Sequence, residues 1–132
     1  MLIDNFIEYL ETLFPDIDFY NGSIDRNLQQ CVGVYLAQGG SSQIALGGLD
    51  NTSFNSKTIS LLIHWTENAN SCEVLATSIY NTLQGKSNIY IGGKRIAAIN
   101  MLDAGPININ RDSNNICEMV IRISIIYDRE VI

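Results

Sequence analysis

Thr58 to Gln84 reads as a strand running straight into an amphipathic helix, and the rest of the chain has to fold around that unit. In Thr58–Thr66, Ile59, Leu61, Ile63 and Trp65 alternate with Thr58, Ser60, His64 and Thr66; Leu62 is the one exception. Alternation with a period of two marks a strand that buries one face. After the short connection Glu67–Ala69, the residues Cys72, Leu75, Ala76, Ile79, Tyr80 and Leu83 recur at helical spacing. Asn70 is the expected N-cap, its side-chain oxygen accepting from free N–H groups of the first turn. Glu73, three residues later, is placed to complete a capping box. Gly85 is expected to end the helix, since a residue without Cβ turns left-handed at no steric cost. The short connection folds the helix back onto the sheet. Each large side chain buried there contributes roughly 1.5–3 kcal/mol. The unit is a fold nucleus with no chemistry of its own.

The flanking segments extend this layer. Leu2–Phe14 has Leu2, Ile3, Phe6, Ile7, Leu10, Leu13 and Phe14 on one helical face and Asp4, Glu8, Glu11 and Thr12 away from it. Pro15 stops it, because the residue before a proline resists helical torsions. Such a helix serves as a lid over the sheet or packs on a neighbouring subunit. Asp16–Tyr20 is expected to be a short extended piece ending at the turn Asn21-Gly22, and Cys31–Ala37 a strand. Gln38–Asn55 is rich in Gly, Ser, Asn and Gln but carries Ile44, Leu46, Leu49 and Phe54. A connection of this length is a hairpin extension or a partner surface, and its glycines argue for the partner. Asn88–Ile91 and Arg95–Leu102 read as strands around Gly92-Gly93, Asp103–Arg111 as a break marked by Gly105-Pro106, and Ile116–Tyr127 as the longest strand. In that last strand Cys117, Met119, Ile121, Ile123, Ile125 and Tyr127 are expected to point inward. Ile116, Glu118, Val120, Arg122, Ser124 and Ile126 are expected to point outward, giving a half-apolar outer face that a partner or a second helix would cover. The expected architecture is α+β: a mainly antiparallel sheet of about five strands, two helices packed on it and one long Gly-rich loop or hairpin extension, in a single domain spanning 1–132.

Bulk properties narrow the function classes. The net charge of −6 over 132 residues disfavours direct binding to phosphate backbones or anionic lipid. Three dispersed cysteines, Cys31, Cys72 and Cys117, form neither a disulfide framework nor a zinc motif and suit small core positions. The amino terminus lacks a basic n-region and an apolar h-region, and no apolar run approaches membrane-spanning length, so a reducing cytoplasm is the expected site of synthesis.

Candidate catalytic groups fall away one at a time. Gly85-Lys86-Ser87 imitates the end of a phosphate loop, yet Tyr80 stands where the first glycine belongs and the motif follows a helix instead of opening one. His64 is the only histidine, with no acidic cluster beside it in sequence, and a lone histidine is far more often structural than a ligand or base. Asp16 and Asp18 have nothing to split their acidities, and Asp103 beside Gly105-Pro106 reads as a turn former. No catalytic residue, cofactor site or metal site is expected.

The order of elements carries more information. It runs from the acidic amphipathic helix through Cys31–Ala37 and its Gly-rich loop to Ile59–Trp65 leading into Cys72–Leu83. It closes with Gly105-Pro106, Asp112 and Ile116–Tyr127-Asp128-Arg129. From about Leu2 to Arg129 this resembles the small tail terminator proteins of long-tailed bacteriophages, often labelled minor capsid proteins. The resemblance implies a virion protein at the head-proximal end of the tail, assembled in the host cytoplasm. It implies a homohexameric ring that caps the tail tube, halts its elongation and docks to the head connector or completion protein, while DNA passes without specific binding. It implies no enzyme activity, cofactor or membrane. It names no individual residues. The expected subunit or tube interface, read from the chain itself, is Tyr35, Ile44, Leu46, Leu49 and Phe54 in or beside the loop and Val120 and Arg122 on the last strand. The alternatives are another head–tail completion or tail-tube protein and, more distantly, a small α+β ligand-binding module or enzyme.

Overall fold

A computed structural model of the chain describes residues 1–25, 27–37 and 54–128. The elements in order are α1 (Ile3–Leu13), β1 (Phe19–Asn21), β2 (Gln30–Leu36), β3 (Phe54–Trp65), α2 (Ala69–Leu83), β4 (Ile89–Ile91), β5 (Lys94–Met101), β6 (Ile107–Arg111) and β7 (Cys117–Asp128). The α+β class is as expected, but the sheet is larger and mixed. It has seven described strands in the order β1-β2-β3-β7-β5-β4, with β6 also paired to β7.

The two longest strands, β3 and β7, lie antiparallel at the centre, in register from Phe54↔Asp128 to His64↔Glu118. The period-2 pattern sets which face is buried. Ile59, Leu61 and Ile63 of β3 and Ile121, Ile123 and Ile125 of β7 share one face with Val32 and Val34 of β2, and all are buried. Both helices cover this face: α1 contributes Phe6, Ile7 and Leu10, and α2 contributes Cys72, Ala76, Ile79, Tyr80 and Leu83. The amino-terminal helix is therefore a lid on the core and does not cover the outer face. It packs on β1 and β2 and also touches β4, so the sheet curls until its two ends approach the same helix. At Gly92, which has φ +58, a Cβ would meet the Asn5 side chain at 2.6 Å, so the β4–β5 turn leaves no room there for a larger residue.

Two local expectations are corrected. The α2 cap is Asn68, not Asn70: its side chain accepts from the N–H groups of Asn70 (2.9 Å) and Ser71 (3.2 Å), so the helix begins two residues early and Glu73 forms no box. The expected break Asp103–Arg111 contains strand β6, held by β7. The short β1, at the end of the expected extended piece Asp16–Tyr20, pairs with β2 in parallel and makes the sheet mixed. The helix end is as expected: α2 stops at Leu83 and Gly85 has φ +77.

Candidate functional site

The uncovered face of the sheet carries most of the residues singled out from sequence. Cα partners across a ladder project to the same side, so the face reads as rows. One row is Tyr35, Ser60 and Arg122; the next is Gly33, Leu62, Val120 and Ile107. Further along β3, Ser56 lies opposite Ile126, and Phe54 opposite Asp128. Tyr35, Val120, Arg122 and Phe54 therefore share one face. Tyr35 and Arg122 stand in one row, Val120 in the adjoining row and Phe54 three rows away. Ile44, Leu46 and Leu49 lie outside the described residues.

The face is half-apolar. Leu62, Val120 and Ile126 are half-buried, while Phe54 and Ile107 are exposed. Arg122 donates to Asp103 through Nε (2.9 Å) and Nη2 (2.7 Å) in a two-pronged ion pair. That hydrogen bond holds the Asp103 carboxyl below its ordinary range. Asp103 is thus more than a turn former, and its carbonyl also accepts from the Tyr80 hydroxyl at 2.6 Å.

One end of the face is closed by the chain between β1 and β2. A Cβ on Gly33 would lie 2.7 Å from Ile24 Cγ2 and 2.6 Å from the Tyr35 ring, so this segment and Tyr35 pack directly on the bare glycine. Next to it is a polar cluster that sequence reading missed. His64 is fully buried and Glu118 nearly so, although both were assigned to the outward sides of their strands. His64 Nε2 lies 2.9 Å from the Leu28 carbonyl, which can only accept, so Nε2 carries a hydrogen. His64 Nδ1 lies 2.9 Å from Glu118 Oε2, a contact that requires one shared proton. Asp112 Oδ2 stands 3.6 Å from the same nitrogen. The cluster joins the β1–β2 connection, β3, β7 and the turn before β7. Ile116 is buried as well, against the expectation that it faces outward.

The histidine and the two carboxylates bring their ligand atoms within 4.8 Å of one another, a set a borderline divalent cation accepts. As hydrogen-bonded groups, His64, Glu118 and the Leu28 carbonyl tie β3, β7 and the β1–β2 connection together. His64 has no exposed surface, so no substrate reaches it. Burial pushes the Cys72 thiol up to about 11, and Cys117 and Glu118 add to the shift, so Cys72 is no nucleophile at neutral pH. Among the described residues no helix is long and apolar enough to cross a membrane.

Among the described residues the arrangement offers surfaces and ties, with no catalytic constellation at the face. No curated protein matches the chain. A family model described as bacteriophage tail terminator protein does match, over residues 8–129, which takes in the second half of α1 and every strand through β7. This chain belongs to the bacteriophage tail terminator family and is a structural protein of the virus.

Proposed function

We propose that copies of this chain close into a ring on the head-proximal end of a finished tail tube, stop its elongation and present the surface to which the head docks. Family membership over residues 8–129 carries the reading. The open sheet face supplies the physical support. Its half-apolar rows, with Val120 beside Leu62 and Ile107, are what a neighbouring copy or the tube would cover. A ring of identical subunits, hexameric in this reading, needs two different patches that meet head to tail and close on themselves. Tyr35, Phe54, Val120 and Arg122 on this face, with Ile44, Leu46 and Leu49, are the proposed contact residues. A net charge of −6 suits a ring through which DNA slides without adhering. The protein resides in the virion and assembles in the host cytoplasm.

Electron microscopy of virions made without the gene tests this. Overlong tails are expected. Tails of normal length detached from heads would make the chain a completion protein and overturn the terminator reading.

A further inference from the structure

His64, Asp112 and Glu118 come from three places in the chain: the end of β3, the turn between β6 and β7, and the start of β7. Two of them are oriented from outside the trio. The Leu28 carbonyl accepts from His64 Nε2, so in the neutral ring Nδ1 carries the lone pair, and it faces the carboxylates. Asp112 Oδ1 accepts from the N–H groups of Asn114 (2.9 Å) and Ile116 (3.0 Å), which turns its buried Oδ2 toward the same nitrogen. A hydrogen bond that fixes the far side of a ligating side chain is the usual outer support of a metal site.

We propose that the trio is a structural site for a borderline divalent cation such as zinc, bound through His64 Nδ1, Asp112 Oδ2 and Glu118 Oε2. Spacing supports this. A tetrahedral ion with bonds of about 2.1 Å sets its ligand atoms about 3.4 Å apart. Nδ1 lies 2.9 Å from Glu118 Oε2 and 3.6 Å from Asp112 Oδ2, on either side of that value. All the ligand atoms fall within 4.8 Å of one another, a spread that turning a carboxylate about its last bond takes up.

Charge and ligand type select the ion. With His64 neutral, the three ligands carry two negative charges, the match for a divalent cation. One nitrogen and two carboxylates suit zinc, whereas calcium and magnesium take shells of about six oxygens or more. The ion enters from the carboxylate side, where Asp112 keeps 6% and Glu118 9% of its side-chain surface while His64 keeps none. Loading replaces the proton at Nδ1 with the metal and releases that proton to solvent. Nε2 keeps its hydrogen on the Leu28 carbonyl. The loaded site ties the turn before β7 directly to the end of β3, and its fourth bond is left for water.

The test strips full-length protein with a chelator and titrates it with zinc chloride, followed by calorimetry and proton NMR. One ion per chain is expected. The His64 Nδ1 proton resonance should vanish on loading while the Nε2 resonance stays. Glu118→Gln is the decisive variant: its amide donates to Nδ1 and keeps the metal-free tie but offers no anionic oxygen. Its zinc affinity should fall by more than about 100-fold, beyond the roughly 10–100-fold lost with an outer partner. Its metal-free urea midpoint should stay close to the parent's. Asp16→Asn, which removes an exposed carboxylate elsewhere, should bind zinc as the parent does. Absence of binding overturns the site. So does binding that persists in Glu118→Gln, or that leaves the Nδ1 proton of the parent in place. The NMR readout on the parent decides the matter even where the variant fails to fold, and either result leaves the ring reading untouched.

Discussion

The two faces of the β3–β7 pair are made by alternate residues of the same strands, yet they obey different rules. On the inner face Leu61 meets Ile121 and Ile59 meets Ile123 beneath two helices, and all four are buried. On the outer face, offset by one residue, Leu62 meets Val120, Ser60 meets Arg122 and His64 meets Glu118. The inner rows are uniform because one core covers them. The outer rows change from buried polar tie to half-apolar patch to ion pair within three steps, because what lies over them changes. A strand's burial pattern therefore reports its covering layer, and a mixed pattern marks a face whose cover is not uniform.

The largest contrast should come from one truncation on each face. Ile123→Ala opens a hole in the core, with an expected loss of about 2–5 kcal/mol in urea unfolding. Val120→Ser, three residues earlier on the half-exposed side, should shift unfolding by less than about 1 kcal/mol while reducing assembly on tail tubes. Equal losses of stability would erase the distinction between the faces.

Glu118→Ala should come next. It leaves the His64 imidazole fully buried without the carboxylate at 2.9 Å, and losing one member of a buried pair costs about 3 kcal/mol or more. The proton shared at His64 Nδ1 should give a resolved, slowly exchanging resonance in the parent and none in the variant. A stability change within about 0.5 kcal/mol would mean that the outer face tolerates a bare buried imidazole.

A smaller effect tests the corrected helix start. Asn68→Ala should cost about 1 kcal/mol, because its side chain accepts from two first-turn N–H groups. Asn70→Ala, inside the helix, should be close to neutral. The reverse order would restore the cap expected from sequence.

These cases show what was legible. Period-2 runs made the inner rows readable, and the spacing of Cys72 to Leu83 made α2 readable. The cap was misplaced because Asn68 and Asn70 are both good caps and Glu73 favoured the wrong one. Strand β6 hid behind Gly105-Pro106, although Ile107 and Ile109 alternate with asparagines; five exposed residues carry no burial pattern. The three-residue β1 is set by its pairing with β2, which local sequence does not encode. The polar cluster was out of reach, because His64 and Glu118 are 54 residues apart and meet only through the β3–β7 register. Of the proposed contact residues, alternation put Val120 and Arg122 on the outward side of the last strand, whereas Tyr35 and Phe54 join that face only through the β2–β3 and β3–β7 registers, which local sequence does not encode.

The smallest effect belongs to the exposed end of the outer face. The hydrogen bond from Arg122, reinforced by its charge and opposed by partial desolvation, lowers the folded-state pKa of Asp103. In the unfolded chain the carboxyl returns to about 3.9. Between the two values the unfolded state binds the extra proton, so stability falls as the solution is acidified through that window. The contribution is complete above the unfolded value and gone once pH passes below the folded one. The pair is half-exposed, so salt also weakens it. The urea midpoints of the parent and of Asp103→Asn should therefore differ most at neutral pH and low salt, and converge below about pH 4. A difference that grew on acidification would mean that Asp103 is held protonated in the fold, and the Arg122 row would then carry an unbalanced positive charge instead of an ion pair.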